Sequence, residues 1–498
     1  SFRMKKNTWY KHHKWIGIVV SFFLLMFCIS GLILNHPTLF SNCNISRSWL
    51  PKRYQYDKWN LGLLRGSIKW HNKVLVYGNS GIWRTDTTAK HFDDFNQGLP
   101  TGADARNIKG MVILPSGKLF AAAQYGLYVY ANNQWQSVNL PIGSDEKLCD
   151  ITSKGDSLLF TTRSFVYLSK PPYQQFQRIS LQKASDSDGK VSLFRTVWLL
   201  HSGELFGLIG VLIVDMIAIV FILLIVTGIF YWIHPKGKTS AWLHRKAGSW
   251  HNEIGRISFV LALLLSITGW LLRPPALLAI ASGRVPAIPF STLDSDNSWN
   301  DQLRSLRYDQ AEGDWLLYTS NGFYSLKTLQ STPYPVKMQP PVSVMGINVE
   351  TQDENGYWLI GSFSGMYIWE RKSGIIADYY THGLAEQTGG IPISAHAVSG
   401  YTNDFGEFEH VIDYNTGCEA LKMPTKMKQL PMSLRNVALE LHTGRLYTFL
   451  GSASIFYIFI IGLAVIWCLW SGWKIRYQKR KKDSDKSKQK TDVDSSDD

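Results

Sequence analysis

The sequence predicts a membrane protein in which a four-helix transmembrane bundle, built from a duplicated two-helix unit, is joined to an all-β domain outside the membrane. Four apolar segments are long enough, or nearly so, to cross about 30 Å of hydrocarbon. The same histidine-containing phrases recur at their ends. Two further segments, 41–195 and 290–435, alternate short apolar runs with glycine and aromatic residues, which is typical of β-strands.

The four apolar segments share a near absence of charge. Trp15–Leu34 has 20 residues without a charged side chain, Leu205–Ile233 has 29 with only Asp215, Ile257–Leu272 has 16, and Leu446–Trp473 has 28. The first segment lacks the small-residue cleavage site of a secretory signal, so we interpret it as a retained helix. We therefore expect spanning helices over 9–36, 201–234, 251–281 and 442–474.

Basic residues cluster before the first helix, in the loop 235–250 and after the fourth helix, all on one side of the predicted bundle. The positive-inside rule makes this side cytoplasmic. We expect a bacterial inner-membrane protein with both termini inside and the β segments in the periplasm. The formal charge of +14 largely reflects these clusters and not a nucleic-acid-binding face. Residues 483–498 are charged and apolar-poor, so we expect a disordered tail.

The histidine phrases reveal the duplication. His13 and His251 each stand 18 residues before a glycine. His201 and His442 are each followed by a glycine 9 residues on and a tryptophan 31 residues on. Two halves in the same orientation imply a pseudo-two-fold axis along the membrane normal. We expect His13 and His251 near the cytoplasmic face, His201 and His442 near the exterior face, and each pair to straddle the axis.

Two imidazoles that face each other across such an axis are what a bis-histidine haem requires. We therefore expect two haem groups, one held by His13 and His251 and the other by His201 and His442. No Cys-x-x-Cys-His phrase occurs, which excludes covalent c-type haem, so any haem is held without thioether links. The alternative ligands are the other histidines near the membrane, none of which has a histidine at its matched repeat position: His12, His36, His234 and His244.

Other residues are secondary candidates. Small residues on the same helices allow close approach of a macrocycle or of a neighbouring backbone: Gly17, Gly31, Gly210, Gly255, Gly269 and Gly451. Asp215 is the only acid inside an apolar run, and such a residue either tunes a haem potential, steadies a hydrogen bond or makes a plain packing contact. In the β segments, His382, His396 and His410 are candidates for metal or substrate contact, the alternative being solvated loop residues.

The β segments contain a repeated unit in which a strand and a turn precede glycine and alternating aromatics. The glycines at 81 and 126 are 45 residues apart, and those at 322 and 365 are 43 apart. A period of this length with hairpin signals favours propeller blades, about three from each segment, closing one six-bladed disc. The alternative is two separate meander or sandwich domains.

The histidine phrases and the order of helices and exterior segments resemble the PepSY-associated transmembrane family, over residues 9–36, 197–275 and 438–475. This family includes inner-membrane ferric-siderophore reductases with two b-type haems. The resemblance implies haem b, outward electron transfer and a metal-chelate acceptor. The exterior segments do not resemble a PepSY module, and this departure leaves the substrate open.

We therefore expect an oxidoreductase that passes electrons to ferric iron in a siderophore or other chelate outside. The cytoplasmic side lacks a nucleotide-binding phrase, so the donor is a reduced flavin, a flavoprotein or quinol. The alternative function is a haem-free membrane receptor or scaffold, or a subunit of a larger uptake or electron-transfer assembly.

Overall fold

The computed structural model describes residues 6–143, 146–233, 241–386 and 394–494. The chain divides into two compact units. The membrane unit takes its residues from 1–37, 190–294 and 436–498, and the β unit from 38–189 and 295–435. Both β segments therefore belong to one unit and do not form two separate domains.

The described residues contain eight α-helices: α1 (Lys6–Asn35), α2 (Pro37–Phe40), α3 (Leu193–Ser202), α4 (Gly207–Ile233), α5 (Ala241–Leu271), α6 (Ala276–Ile280), α7 (Leu434–His442) and α8 (Ser454–Asp494). Four stretches are long and apolar enough to cross a membrane: Asn7–Asn35, Glu204–Ile233, Ala241–Leu271 and Phe456–Arg476. The predicted four spanning helices are confirmed, and the chain is a multi-pass membrane protein.

The starts of the second and fourth spanning helices differ from the prediction. His201 and His442 lie in the last turns of the short helices α3 and α7. Each short helix is followed by a glycine in the left-handed region, Gly203 at φ 85° and Gly444 at φ 76°. Glycine commonly ends helices in this conformation. The His-x-Gly phrase therefore marks the end of a short helix, and the spanning helix begins after it.

Two other boundaries also differ. Helix α5 begins at Ala241, so the last ten residues of the predicted loop 235–250 are helical. Helix α8 continues to Asp494, where the sequence predicted a disordered tail over 483–498; residues 495–498 lie outside the described part. The described part of that tail contains neither Pro nor Gly, the residues that most strongly oppose a helix.

The four long helices pack as a closed bundle. Helix α1 contacts α4 and α8, and α5 contacts the same two helices. Buried side chains from three helices fill the centre of the bundle: Cys28, Ile217, Ala218, Phe221 and Ala262. Because α1 belongs to the first half and α8 to the second, each half of the duplication packs directly against the other.

The strands form small antiparallel sheets. In the β unit, five sheets have four strands in chain order: β2–β5 (Gly66–Trp70, Lys73–Gly78, Gly81–Thr85, Asp93–Asp94), β6–β9 (Ile108–Ile113, Leu119–Ala123, Gly126–Ala131, Gln134–Val138), β10–β13 (Leu148–Lys154, Ser157–Thr162, Val166–Ser169, Gln177–Ile179), β16–β19 (Leu303–Asp309, Asp314–Thr319, Gly322–Leu326, Tyr334–Pro335) and β20–β23 (Ile347–Gln352, Trp358–Ser362, Gly365–Glu370, Ile375–Asp378).

Three smaller sheets have two strands each: β24 with β25 (Val398–Thr402, His410–Asp413), β1 with β26 (Asn44–Ile45, Met432–Ser433), and, in the membrane unit, β14 with β15 (Lys190–Ser192, Arg284–Pro286). The β-rich character predicted for both segments is confirmed.

The glycines whose spacing predicted a repeat each open the third strand of a four-stranded sheet: Gly81, Gly126, Gly322 and Gly365. Gly81 has φ 97°, and a Cβ added there would lie 2.0 Å from Asn96 Oδ1. Only glycine therefore fits this turn without strain.

The first strands of neighbouring sheets contact one another: β10 contacts β6 and β16, and β24 contacts β2 and β20. Apolar side chains fill the space between neighbouring sheets. For example, Leu75 and Ile82 of the first sheet share a buried cluster with Leu119 and Tyr128 of the second.

Candidate functional site

The membrane unit brings the four repeated histidines together in two pairs. The ring centroids of His13 and His251 lie 6.0 Å apart, and those of His201 and His442 lie 6.1 Å apart. These are the pairs that the duplication predicts, with one histidine from each half. Two pairs with nearly equal spacing show that the halves repeat their geometry as well as their sequence.

In the His13–His251 pair, both Nδ1 atoms face backbone carbonyls. His13 Nδ1 lies 2.9 Å from the carbonyl oxygen of Cys468, and His251 Nδ1 lies 3.1 Å from that of Leu224. A carbonyl only accepts hydrogen bonds, so each Nδ1 carries the ring proton in a neutral imidazole. The lone pair of Nε2 then remains for a metal.

The His201–His442 pair has the same arrangement. His201 Nδ1 lies 3.2 Å from the carbonyl oxygen of Leu265. His442 Nδ1 lies 2.9 Å from Ser30 Oγ, and this hydroxyl donates its own proton to the Met26 carbonyl at 2.6 Å. Ser30 therefore accepts from His442, and Nε2 is again the unprotonated nitrogen.

Each spanning helix carries one Ser/Thr-Gly dipeptide that lies against one histidine: Ser30-Gly31, Thr227-Gly228, Thr268-Gly269 and Ser471-Gly472. The distances from hydroxyl to Nδ1 are 2.9 Å for Ser30–His442, 3.2 Å for Thr227–His251, 3.2 Å for Thr268–His201 and 3.3 Å for Ser471–His13. For His13, His251 and His201, the hydroxyl and the carbonyl three residues before it together orient the ring, as the outer-shell partners of metal-binding histidines do.

The glycine of each dipeptide leaves room for the imidazole. A Cβ added to the glycine would lie close to Cε1 of the ring: 3.5 Å for Gly31 and His442, 3.2 Å for Gly228 and His251, 2.7 Å for Gly269 and His201, and 3.0 Å for Gly472 and His13. At Gly228, Gly269 and Gly472 a Cβ would press on the ring, whereas at Gly31 it would make an ordinary contact. The dipeptide therefore combines an acceptor for Nδ1 with a flat surface beneath the histidine.

Two of these glycines, Gly31 and Gly269, were predicted from the sequence, and the other two were not. Gly228 and Gly472 were not candidates, although each follows a Ser or Thr as Gly31 and Gly269 do. The recurring dipeptide, one in each spanning segment, was the available signal.

The other predicted glycines serve a different purpose. A Cβ at Gly17 would lie 3.4 Å from Cys468 Sγ, and one at Gly255 would lie 3.7 Å from Leu224. Gly210 packs against the backbone of Gly203, where a Cβ would lie 2.0 Å from the carbonyl oxygen. These three allow close packing within the membrane unit. A Cβ at Gly451 would meet nothing within 4 Å.

The spacing of the rings fits two imidazoles on one iron. A bond between an imidazole nitrogen and a transition metal is about 2.0 Å, and ring atoms lie about 1.2 Å from the centroid of a five-membered ring with ordinary bond lengths. Two coaxial imidazole ligands therefore have centroids about 6.4 Å apart. The observed 6.0 and 6.1 Å are close to this value, so both pairs suit bis-histidine ligation.

The alternative histidine ligands are engaged elsewhere or lie outside the described residues. His36, which follows the end of α1, donates a hydrogen bond to the carboxylate of Asp215 on α4. His244 is buried and stacks on Tyr231, with ring centroids 4.2 Å apart. His12 packs among tryptophan rings. His234 lies outside the described residues.

Asp215 accepts two hydrogen bonds within the membrane unit. Asn35 Nδ2 donates to its Oδ1 at 2.9 Å, and His36 Nε2 donates to its Oδ2 at 2.7 Å. Both carboxylate oxygens are therefore satisfied by residues at the end of α1. Of the roles considered for Asp215, this geometry favours a hydrogen bond that links α4 to α1.

The three histidines predicted for ligand contact in the β unit have separate environments. His396 stacks on Tyr380 with ring centroids 4.4 Å apart. His410 begins β25, and His382 adopts a left-handed backbone with φ 56°. Within the described ranges, no group of three or more His, Cys, Asp or Glu side chains is arranged to hold a metal ion.

Three charged groups, two of them with buried side chains, lie on the first strands of three sheets of the β unit. Arg307 on β16 donates to Asp150 on β10, with Nη2 at 2.9 Å from Oδ1. Its Nε lies 4.0 Å from the carboxylate of Glu350 on β20. Burial raises the pKa of Glu350 to about 7, although Arg307 opposes this effect. The charge on Glu350 therefore changes near neutral pH.

The sequence matches the family model described as the PepSY-associated TM region over residues 1–209 and 164–480. No curated protein matches it.

Solved structures similar to the chain include an extracellular domain from a one-component system of B. thetaiotaomicron, at 10% identity and a TM-score of 0.34, with 73% of this chain and 39% of that chain covered. An ancestral GH74 enzyme has 10% identity and a TM-score of 0.32, with 73% and 35% covered. The chain thus spans little more than a third of either protein, and at these TM-scores neither bears on its fold or function.

Proposed function

Because the chain belongs to the PepSY-associated transmembrane family, we propose that it is a haem b protein that carries electrons across the membrane. One haem lies between His13 and His251, and the other between His201 and His442. The observation that carries this proposal is the spacing of 6.0 and 6.1 Å within two pairs whose Nδ1 atoms are all hydrogen-bonded. Haem bound there supplies a one-electron iron couple.

The residues of the chain hold the ligands in the state that such a group needs. Carbonyl and hydroxyl oxygens keep the ring protons on Nδ1, and the Ser/Thr-Gly dipeptides fix each ring against a neighbouring helix. Each histidine is carried by one helix, and the dipeptide that contacts its ring lies on another helix. The packing of the bundle therefore sets the distance between the two rings of a pair. Such preorganisation reduces rearrangement when the iron changes its charge.

The two pairs occupy different depths of the bundle. His13 and Ser30, which binds His442, are 17 residues apart on α1, or about 26 Å along the helix axis. This length is close to the hydrocarbon thickness of about 30 Å. We therefore place one haem near each face of the membrane, so that electrons pass between them through the protein.

We place the His13–His251 pair at the cytoplasmic face of a bacterial inner membrane and the β unit in the periplasm. The positive-inside rule supports this orientation. Lysine and tryptophan side chains also stack near this end of the bundle, as in an interfacial belt: Lys246 lies 4.5 Å from the Trp242 ring and Lys474 lies 4.9 Å from the Trp473 ring.

The acceptor in this proposal is ferric iron in a siderophore or another chelate, bound by the β unit. The haem that His201 and His442 would hold would supply the one electron that converts ferric to ferrous iron, and the weakened chelate would then release the metal. The donor is a reduced flavin, a flavoprotein or quinol on the opposite side. We further propose that the β unit is a six-bladed propeller, which its five four-stranded sheets, its two-stranded sixth sheet and the contacts between their first strands support.

An absorption spectrum of the purified full chain tests the haem proposal. We expect about two low-spin haem b groups per chain, with the spectrum of bis-imidazole ligation. A colourless protein from haem-replete cells would refute the redox function and favour a receptor or scaffold.

Anaerobic stopped flow tests the acceptor. The dithionite-reduced protein should be reoxidised by ferric siderophores at a rate that saturates with chelate concentration, because a formed site binds the chelate first. Haem that stays reduced with every ferric chelate, yet passes electrons to a protein partner, would refute the reductase function in favour of an assembly subunit.

A further inference from the structure

Two of the four Ser/Thr-Gly dipeptides are followed by Trp directly and by Arg four residues after the glycine. Residues 268–273 read Thr-Gly-Trp-Leu-Leu-Arg, and residues 471–476 read Ser-Gly-Trp-Lys-Ile-Arg. In the other two dipeptides, the fourth residue after the glycine is Asn35 or Trp232. Each histidine pair therefore has one dipeptide that is followed by an arginine.

The arginine lies close to the ring that the glycine contacts. Gly269 lies against His201, and Arg273 follows one turn later, with its backbone nitrogen bonded to the carbonyl of Trp270 at 3.1 Å. Arg273 lies two residues beyond Leu271, the last residue of α5, so it follows Gly269 by about one turn of the chain. Arg476 follows Gly472 by the same four residues within α8, where residues four apart lie on the same face. Both arginines lie at or just beyond the C-terminal end of a spanning segment, where water replaces lipid.

Arg273 is half-buried, and the described residues give its guanidinium neither a hydrogen bond nor an ion pair; the carboxylate whose charge acts on it, Glu440, is paired with Arg445. Burial lowers the pKa of Arg273 to about 10, and the side chain therefore stays charged at neutral pH. A half-buried charge that the chain balances only in part favours an anionic ligand.

Arg476 connects the two helices that carry the other pair. Its Nη1 donates to the carbonyl oxygen of Asn252, the residue next to His251, at 2.9 Å. Its Nη2 lies 3.4 Å from Glu253 Oε1. Arg476 follows the dipeptide that orients His13, so it is close to both members of the pair. Unlike Arg273, it already has a carboxylate from the chain.

We propose that Arg273 and Arg476 each bind a propionate carboxylate of the haem at their histidine pair, one arginine per haem. This inference rests on the proposed haem function. Haem b carries two carboxylates, and an uncompensated carboxylate in hydrocarbon is costly. A guanidinium matches a carboxylate with two parallel hydrogen bonds, and its place toward the end of the span directs the propionates to the membrane surface.

The experiment combines a change in the protein with a change in the ligand. Wild type and Arg273→Met are each loaded with haem b or with its dimethyl ester, in which the propionates carry no charge. Haem loss from the His201–His442 pair to an excess of a haem-binding acceptor is then timed. We expect Arg273→Met to speed the loss of haem b about tenfold, the effect of removing a hydrogen bond between charged groups. Esterification should speed the loss from wild type by a similar factor and leave the variant unchanged.

Two controls exclude a general disturbance. Arg284 follows the same spanning segment and is exposed, and its Nη2 donates to the Lys190 carbonyl oxygen at 2.7 Å, so Arg284→Met should lose haem at the wild-type rate. Arg273→Lys, which keeps the charge but not the fork of donors, should fall between wild type and Arg273→Met. The haem at His13 and His251 should be unaffected by Arg273→Met, which reports that the bundle is folded.

The outcomes separate the two proposals. The propionate assignment is wrong if Arg273→Met loses haem b at the wild-type rate. It is also wrong if esterification speeds haem loss from Arg273→Met as much as from wild type. Either result leaves the haem function standing. Wild type that binds no haem overturns both.

Discussion

The two histidine pairs have the same ring spacing but different supports. His13 and His251 lie within the long helices α1 and α5, whereas His201 and His442 lie in the last turns of the short helices α3 and α7. What the pairs share is the Ser/Thr-Gly dipeptide on a neighbouring spanning helix. The difference indicates that this dipeptide, and not the helix that carries the histidine, sets the geometry of the ring.

Of all the substitutions, loss of a histidine should have the largest effect on the haem content of its pair. We expect His13→Ala or His251→Ala to abolish one haem, and His201→Ala or His442→Ala to abolish the other, because each iron needs both imidazoles of its pair. Haem content and reduced-minus-oxidised spectra of the four variants measure this. If His13→Ala and His201→Ala removed the same haem, the assignment of pairs would be wrong.

The effect of a glycine substitution on haem retention should depend on the distance between the glycine and the histidine ring. A Cβ at Gly269 would lie 2.7 Å from Cε1 of His201, whereas one at Gly31 would lie 3.5 Å from Cε1 of His442. We expect Gly269→Ala to weaken haem retention at this pair about tenfold, the effect of overpacking by about 1–2 kcal/mol. Gly31→Ala should remain near wild type.

The two alanine variants form a matched control, since both rings belong to one pair and both changes add one methyl group. Haem-loss rates measure the difference. Equal rates for the two variants would show that the dipeptides do not set the ring geometry.

The hydroxyls should have smaller effects, because some rings keep a carbonyl acceptor. His201 Nδ1 lies 3.2 Å from both the Thr268 hydroxyl and the Leu265 carbonyl, so Thr268→Val leaves one acceptor. Ser30 accepts from His442 at the shorter distance of 2.9 Å. We expect Ser30→Ala to speed haem loss about fivefold, for a hydrogen bond of about 1 kcal/mol, and Thr268→Val to have less effect. The opposite order would place the main acceptor of His442 elsewhere.

The spanning helices and the histidine pairing could be predicted because both depend on patterns that are visible in the sequence: the length of the apolar runs and the matched spacing of the histidines. An apolar run of sufficient length has few alternatives to a spanning helix, and a duplication with matched spacing makes its histidines equivalent. The strand repeat was likewise visible from Gly81 and Gly322, whose positive φ favours glycine.

The sequence did not predict how the chain enters the second and fourth spanning helices, since His-x-Gly is compatible with either end of a helix. It also could not show that Ser471-Gly472 faces His13, because the two are 458 residues apart and meet only through the packing of α1 on α8. Asp215 was a candidate for haem tuning until the structure placed Asn35 and His36 on its carboxylate.

Asp215 occurs in the first half only and has no counterpart in the second half. Its substitution should therefore leave both haems unchanged. It lies 14 residues after His201, and the residue 14 after His442 is Phe456, so no carboxylate repeats there. A group required by each haem would be present in both halves. Asp215 instead accepts from Asn35 and His36 at 2.9 and 2.7 Å.

We expect Asp215→Asn to keep haem content and spectra at wild-type values while it destabilises the membrane unit. An amide has one acceptor oxygen, so one of the two donors from α1 loses its partner and the amide nitrogen faces it, at a cost of about 1–3 kcal/mol. Thermal unfolding followed by the loss of helical circular dichroism measures this, and Glu204→Gln, a change at an exposed carboxylate near the start of the same spanning segment, is the control. A changed midpoint potential for the His201–His442 haem, with unchanged thermal stability, would instead make Asp215 part of the haem site.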